Sequence, residues 1–332
     1  MFSKKVLVSV FIAIVATFFF MAPVNAARYE NLTVTNLTVD KTAIIHGLLQ
    51  AAANTTGNVW YVDDSGSNGS GAAGKSQKTP FAGIDYAIGK TIANNGDFII
   101  VMPGHAETIT SAITCDVAGV TILGLGGPRA MPTITTATAI DMMTVTAADV
   151  TIANLEFAIP GIDAVTADIN IAAAGCSVLY TKHHGSTTAK NKVDIITLTS
   201  AADDALLQGL RIYNTTVEVV GGIVFEGACS RVEVSHCMVQ DAIGFTGGSI
   251  SDEATALQLY IHDNVFSNAK VDTVVMEFGN NSTGVCMNNF ANGRHTTIAS
   301  NVAPGTGMAF MNNMAVEEAA LNAILIPAAD AE

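Results

Sequence analysis

Charge is scarce in this chain of 332 residues. Only 13% of the side chains are charged, and 15 Lys and Arg stand against 29 Asp and Glu. A phosphate backbone needs a basic face to displace its counterions, so nucleic acid is excluded as a partner. Aromatic residues make up 6%, with one Trp and six Tyr, too few for an extended platform of sugar-stacking rings. The five cysteines, Cys115, Cys176, Cys229, Cys237 and Cys286, are odd in number and irregular in spacing. That excludes a disulfide framework and suits small buried hydrophobes.

A leader stands at the start. Lys4 and Lys5 precede an apolar run over residues 6–21, and residues 22–26 end in small side chains at Ala26. Charged, apolar and small-residue parts in that order predict a secretory signal at 1–26, cut after Ala26. The apolar run lies near the lower limit for a spanning helix, and no later segment is apolar enough to cross a bilayer. Export is therefore expected, to the periplasm, the cell surface or beyond, with no membrane attachment after cleavage. Setting aside Lys4 and Lys5 takes the formal charge from −14 to −16, which favours solubility.

Gly, Ala, Thr, Asn and Val abound, a composition for stacked short strands and tight turns rather than helices. Self-similarity bears this out. Residues 150–157 (VTIANLEF) align with 232–239 (VEVSHCMV), 259–266 (LYIHDNVF), 283–290 (TGVCMNNF) and 307–314 (GMAFMNNM). Weaker copies end at Gly127, His184 and Ile212, and successive copies lie 24–30 residues apart. That period is too short for a βαβ unit with a full crossover helix and fits one coil of a solenoid. The expected fold is all-β: a right-handed, single-stranded parallel β-helix of about eight to ten coils, roughly 40–50 Å long at the strand spacing.

The alignment predicts which side chains point inward. One inward column is Ile152, Leu179, Leu207, Val234, Ile261, Val285 and Ala309. The other is Phe157, His184, Ile212, Val239, Phe266, Phe290 and Met314, apolar except at His184. The column before it, with Glu156, His183, Arg211 and Met238, is mixed and expected outside. Stacked amides are expected along Asn214, Asp241, Asn268 and Asn292, and along Asn264, Asn288 and Asn312. Side chains about 4.8 Å apart can hydrogen-bond up such a stack.

Residues 59–71 (VWYVDDSGSNGSG), 79–88 (TPFAGIDYAI) and 95–107 (NGDFIIVMPGHAE) resemble the opening of pectin-lyase-like right-handed parallel β-helix proteins. Together with the repeats, the resemblance covers residues 59–314. It implies the fold and no single activity, because enzymes, adhesins and phage proteins share this opening. It implies a first strand at Trp60–Val62, a capping helix over Phe81–Ile92, and a first coil from Phe98. Residues 27–58, with the repeated NLTV, read as an extended assembly segment. Residues 315–332 read as a C-terminal cap with a short helix over 316–326, stopped by Pro327.

Candidate chemistry is sparse. Residues 69–76 (GSGAAGKS) match a phosphate-binding loop in letter, but Gln77-Lys78-Thr79-Pro80 begins no helix behind Lys75, so no nucleotide site is expected. The lyase and polygalacturonase motifs of β-helix enzymes are missing. Glu156, His183 and Arg211, one per coil in one outward column, are the candidate acid–base cluster. His236 and Asp263, sharing another column, are the candidate metal ligands. No cofactor is expected. The residues favour a non-catalytic, exported structural or adhesive protein of a cell surface, appendage or phage-related assembly. Such a protein would self-associate and bind surface glycans. The alternative is a carbohydrate-active enzyme, a polysaccharide lyase or glycoside hydrolase, with a groove at Glu156, His183 and Arg211 helped by Tyr180 and Tyr213.

Overall fold

The computed structural model describes residues 55, 57–69, 73–158, 161–185, 192–214, 219–241, 244–279, 281–294, 301–316 and 323–326. The signal, nearly all of the 27–58 segment and most of 315–332 lie outside them. The described chain is a right-handed parallel β-solenoid with three sheets. The first sheet stacks ten strands from Val59–Val62 to Gly307–Met311, and the third eight, from Ile113–Cys115 to Val302–Ala303. The second sheet runs from Ala106–Ile109 to Asn313–Val316 and is closed by Ala323–Ile326. Eight strands in the third sheet mean eight completed coils, in line with the repeat count. Ten stacked strands at about 4.8 Å span roughly 43 Å.

Each coil is built the same way. Three-residue strands such as Met143–Val145 and Ile169–Ile171 alternate buried, half-buried, buried, because successive side chains of a strand point to opposite faces. A left-handed residue turns the chain before the first sheet in successive coils: Gly119, Asp149, Gly175, Asp204, Arg231 and Gln258. A second turns it between the first and second sheets: Asn154, Tyr180, Gly209, His236, Asp263, Asn288 and Asn312. Asn, Asp and Gly dominate both columns, the residues that tolerate this backbone. Tyr180, His236, Arg231 and Gln258 are the exceptions, and Tyr180, at φ 53°, stands at the groove described below.

The interior is one continuous apolar cluster from Val62 to Ala315. Ile152, Leu207, Val234, Ile261, Phe157, Ile212, Val239 and Phe266 are buried in it as expected. All five cysteines are buried free thiols.

Three coils depart from the expected register by one residue. Ile152 pairs with Val178, not Leu179, and Phe157 with His183, not His184. Further on, Ile261 pairs with Cys286 rather than Val285, and Cys286 with Phe310 rather than Ala309. Ala291 and Ala315 fill the inner column, leaving Phe290 and Met314 outside. A slip of one residue exchanges the two faces.

The Asn stacks show the cause. The buried ladder is Asn264, Asn289 and Asn313, not Asn264, Asn288 and Asn312. Asn289 Oδ1 accepts from the Asn264 amide at 3.0 Å, and Asn313 Oδ1 accepts from the Asn289 amide at 3.0 Å. Their Nδ2 groups donate to the carbonyls of Ile261 and Cys286 at 2.9 and 2.7 Å. The second Asn of each MNN triplet is committed to this ladder and the first to the left-handed corner, so the next side chain must face out. In the other stack, Asn214, Asp241 and Asn268 share a register, but Gly293 takes the place expected for Asn292.

The ends differ from expectation as well. The helix is short, Ile84–Ile88, because Gly83 and Gly89 bound it; Ile84, Ala87 and Ile88 pack into the core. Ala323–Ile326 is a strand antiparallel to Asn313–Val316, not part of a helix. The Ala-Ile-Leu-Ile run meets an open sheet edge, and β-branched residues there gain ladder hydrogen bonds.

Candidate functional site

The outer face of the second sheet carries the charged ladder, with Lys182 in the place expected for His183. Glu156, Lys182 and Arg211 stand side by side on successive coils. Lys182 Nζ lies 3.0 Å from Glu156 Oε1, and His184 Nε2 lies 2.6 Å from the same oxygen. Burial by itself would raise the Glu156 carboxyl. Hydrogen bonds from Lys182 and His184 outweigh it and hold the group below its ordinary range. Arg211 has no ion-pair partner among the described residues and is exposed.

At the corner beside this ladder lies a groove of about 440 Å³, lined chiefly by Tyr180, Lys182, Arg211, Tyr213, His236 and Met238. Tyr180 is 60% exposed, its ring thrown outward by the left-handed backbone. Arg211, Tyr180 and Tyr213 thus line one groove, while Glu156 and His183, expected beside Arg211 in the enzyme alternative, do not line it.

His183 points inward and is fully buried. Its Nδ1 donates to Asp168 Oδ2 at 3.0 Å, so Nε2 accepts from the Thr181 hydroxyl at 2.9 Å. Its ring stacks on Phe157 at 4.9 Å. Lys192 Nζ lies 2.7 Å from Asp168 Oδ1 and also donates to the His184 carbonyl. Burial lowers the affinity of His183 and of Lys192 for a proton, against the opposing pull of Asp168. The imidazole is neutral, and Lys192 with Asp168 forms a buried ion pair.

Hydroxyl, imidazole and carboxylate are here ordered as in a nucleophile triad. Thr181 is only 1% exposed and its hydroxyl is turned toward His183, so no substrate carbonyl reaches it. The arrangement is structural. Asp168 and Lys192 escaped the sequence reading. Their one signal is an aspartate in the column of Met142 and Ile195, where neighbouring coils carry apolar residues.

Asp194 is a second buried acid, 7% exposed. Burial, then the charges of Glu226 and Glu253, push its carboxyl up to about 7 from 3.8. A folded-state value above the unfolded one means that the native state holds the extra proton between these limits. Stability is therefore expected to fall as pH rises from about 4 to about 7. Asp194→Asn should flatten that slope and, after discounting for solvent screening, add on the order of 1–2 kcal/mol above pH 7. Urea titrations at pH 5 and pH 8 check it; a variant with the parental slope contradicts the assignment.

His236 and Asp263 do share the left-handed corner, as expected. Asp263, however, takes a hydrogen bond at 2.7 Å with His262 Nδ1, which chiefly lowers its carboxyl below the ordinary range. His262 Nε2 faces Glu233 at 3.3 Å, and the His236 ring meets His262 edge-on at 5.9 Å. Among the described residues no three His, Cys, Asp or Glu converge to hold a metal.

No family model matches the chain, and no curated protein matches it. Solved structures similar to it include a rhamnogalacturonan lyase, at 11% identity and a TM-score of 0.39, covering 77% of this chain and 87% of the lyase. Pectate lyase Pel9A is similar at 14% identity and a TM-score of 0.46, covering 80% of this chain and 78% of the lyase. ORF18 of Geobacillus virus E2 is similar at 12% identity and a TM-score of 0.33, covering 71% of this chain and 57% of the viral protein.

Proposed function

We propose that this chain is an exported, self-associating structural or adhesive β-solenoid whose groove at Lys182 and Arg211 holds an acidic glycan without cleaving it. One observation carries the reading: Arg211, without an ion-pair partner among the described residues, stands one coil from Lys182 between two tyrosines. A guanidinium matches a carboxylate in two-point geometry, and tyrosine faces suit sugar rings. The groups suited to acid–base work favour binding over turnover. His183 and Asp168 are sealed in the core, and Glu156 is held by Lys182 and His184. The net negative charge opposes an acidic ligand only at long range, since salt screens beyond about 8 Å at physiological strength.

Calorimetric titration with acidic and neutral oligosaccharides tests this. Acidic chains are expected to bind, Arg211→Ala to weaken them at least about tenfold, and no shortened product to form. Failure to bind, or equal binding by the variant, sinks the proposal. The exposed His236 in the same groove favours a second reading, a carbohydrate-active enzyme. Turnover lost in His236→Ala with binding retained would establish it.

A further inference from the structure

The first sheet ends differently at its two ends. At the N-terminal end the outer edge of Val59–Val62 is occupied. The Tyr61 amide donates to the Gly74 carbonyl, the Phe81 amide to the Tyr61 carbonyl, and the Asp63 amide to the Phe81 carbonyl, each at 2.8 Å. At the C-terminal end Ala323–Ile326 closes the second sheet. The last strand of the first sheet, Gly307–Met311, has a strand partner on one side only among the described residues.

The Met311 carbonyl accepts the Asn288 amide of the preceding coil at 3.1 Å. Backbone groups of a parallel strand alternate sides residue by residue. Met308 and Phe310 therefore turn both N–H and C=O to the open edge. Their side chains pack on the core, while Gly307, Ala309 and Met311 are exposed. No charged residue lies between Asn301 and Val316. Open edges are ordinarily kept apart by charges, bulges or a covering segment, and this one carries no charge across the whole final coil.

We propose that Gly307–Met311 pairs antiparallel with the same strand of a second copy, about a two-fold axis at Ala309. This deepens the self-association in the reading above and places it on a segment other than 27–58. Head-to-tail stacking is barred because the N-terminal edge is already paired. Tail-to-tail pairing sets Met308 opposite the partner's Phe310 and the reverse, closing about four main-chain hydrogen bonds. Ala309 then faces its twin across the axis. The contact is self-complementary and closed, so it ends at two copies.

Size-exclusion chromatography with light scattering on the chain from Ala27 tests this across a wide concentration range. A dimer is expected. Ala309→Lys puts two like charges on the axis and should give a monomer with unchanged circular dichroism. Ala309→Cys should cross-link the dimer on mild oxidation and release it on reduction, because facing residues at such a pair lie about 4.5 Å apart. A parental chain that is monomeric throughout overturns the proposal and the self-association with it. An assembly that survives Ala309→Lys and does not cross-link in Ala309→Cys overturns the edge pairing alone. If that assembly is lost on removing residues 27–54, the self-association reading stands on the N-terminal segment.

Discussion

Asp168→Ala is expected to lower the unfolding free energy by about 3–5 kcal/mol. The carboxylate is fully buried and holds both Lys192 and His183. Removing it strands an ammonium in a medium where an unpaired charge cannot persist. Lys192 must then lose its proton or drag its coil open toward water. Guanidinium titration of the variant measures the cost, and a loss under about 1 kcal/mol would show that Lys192 reaches solvent.

A companion variant separates charge from packing. Asp168→Leu, His183→Phe and Lys192→Met together replace the polar node with apolar volume. Exchanges of this kind are often neutral or stabilising, so the triple variant is expected to recover most of what Asp168→Ala loses. A triple variant as unstable as the single one would mean that the node shapes the coil rather than merely occupying it.

Asn289→Ala is the second large effect, at about 3 kcal/mol or more, whereas Asn288→Ala next to it should cost about 1–2. Asn289 is 2% exposed, and its Oδ1 accepts from the Asn264 amide and side chain at 3.0 and 2.9 Å. Deleting it orphans those donors and the Ile261 carbonyl inside the core, at about 1–3 kcal/mol for each buried group left unmade. Asn288 is exposed at φ 55°, so alanine there meets mainly the left-handed strain. Urea midpoints of the two variants decide the point. Equal losses, or a greater loss at Asn288, would place the ladder one residue earlier.

These neighbouring asparagines also mark how far the site and the fold could be read. The coil period, the inward Ile152, Val234, Ile261 and Phe266, and the buried cysteines follow from spacing and residue type. Both are properties of the chain as written, because a solenoid places each repeat against the next. Arg211, Tyr180 and Tyr213 could likewise be assigned to a common face. His183, by contrast, was expected outside beside Glu156, and it lies inside while Lys182 takes its position.

Sequence by itself determined the period, the architecture and most of the core columns, since alternation and repeat length are local and each coil restates them. Only the tertiary structure decided the register where two like residues are adjacent, at His183-His184, Asn288-Asn289 and Asn312-Asn313. Either member satisfies the local pattern. The choice falls to partners on other strands: Asp168 for His183, and the amide groups of the adjoining coils for Asn289 and Asn313. A buried polar group is held where its hydrogen bonds close, and that closure spans coils some 15 to 30 residues apart.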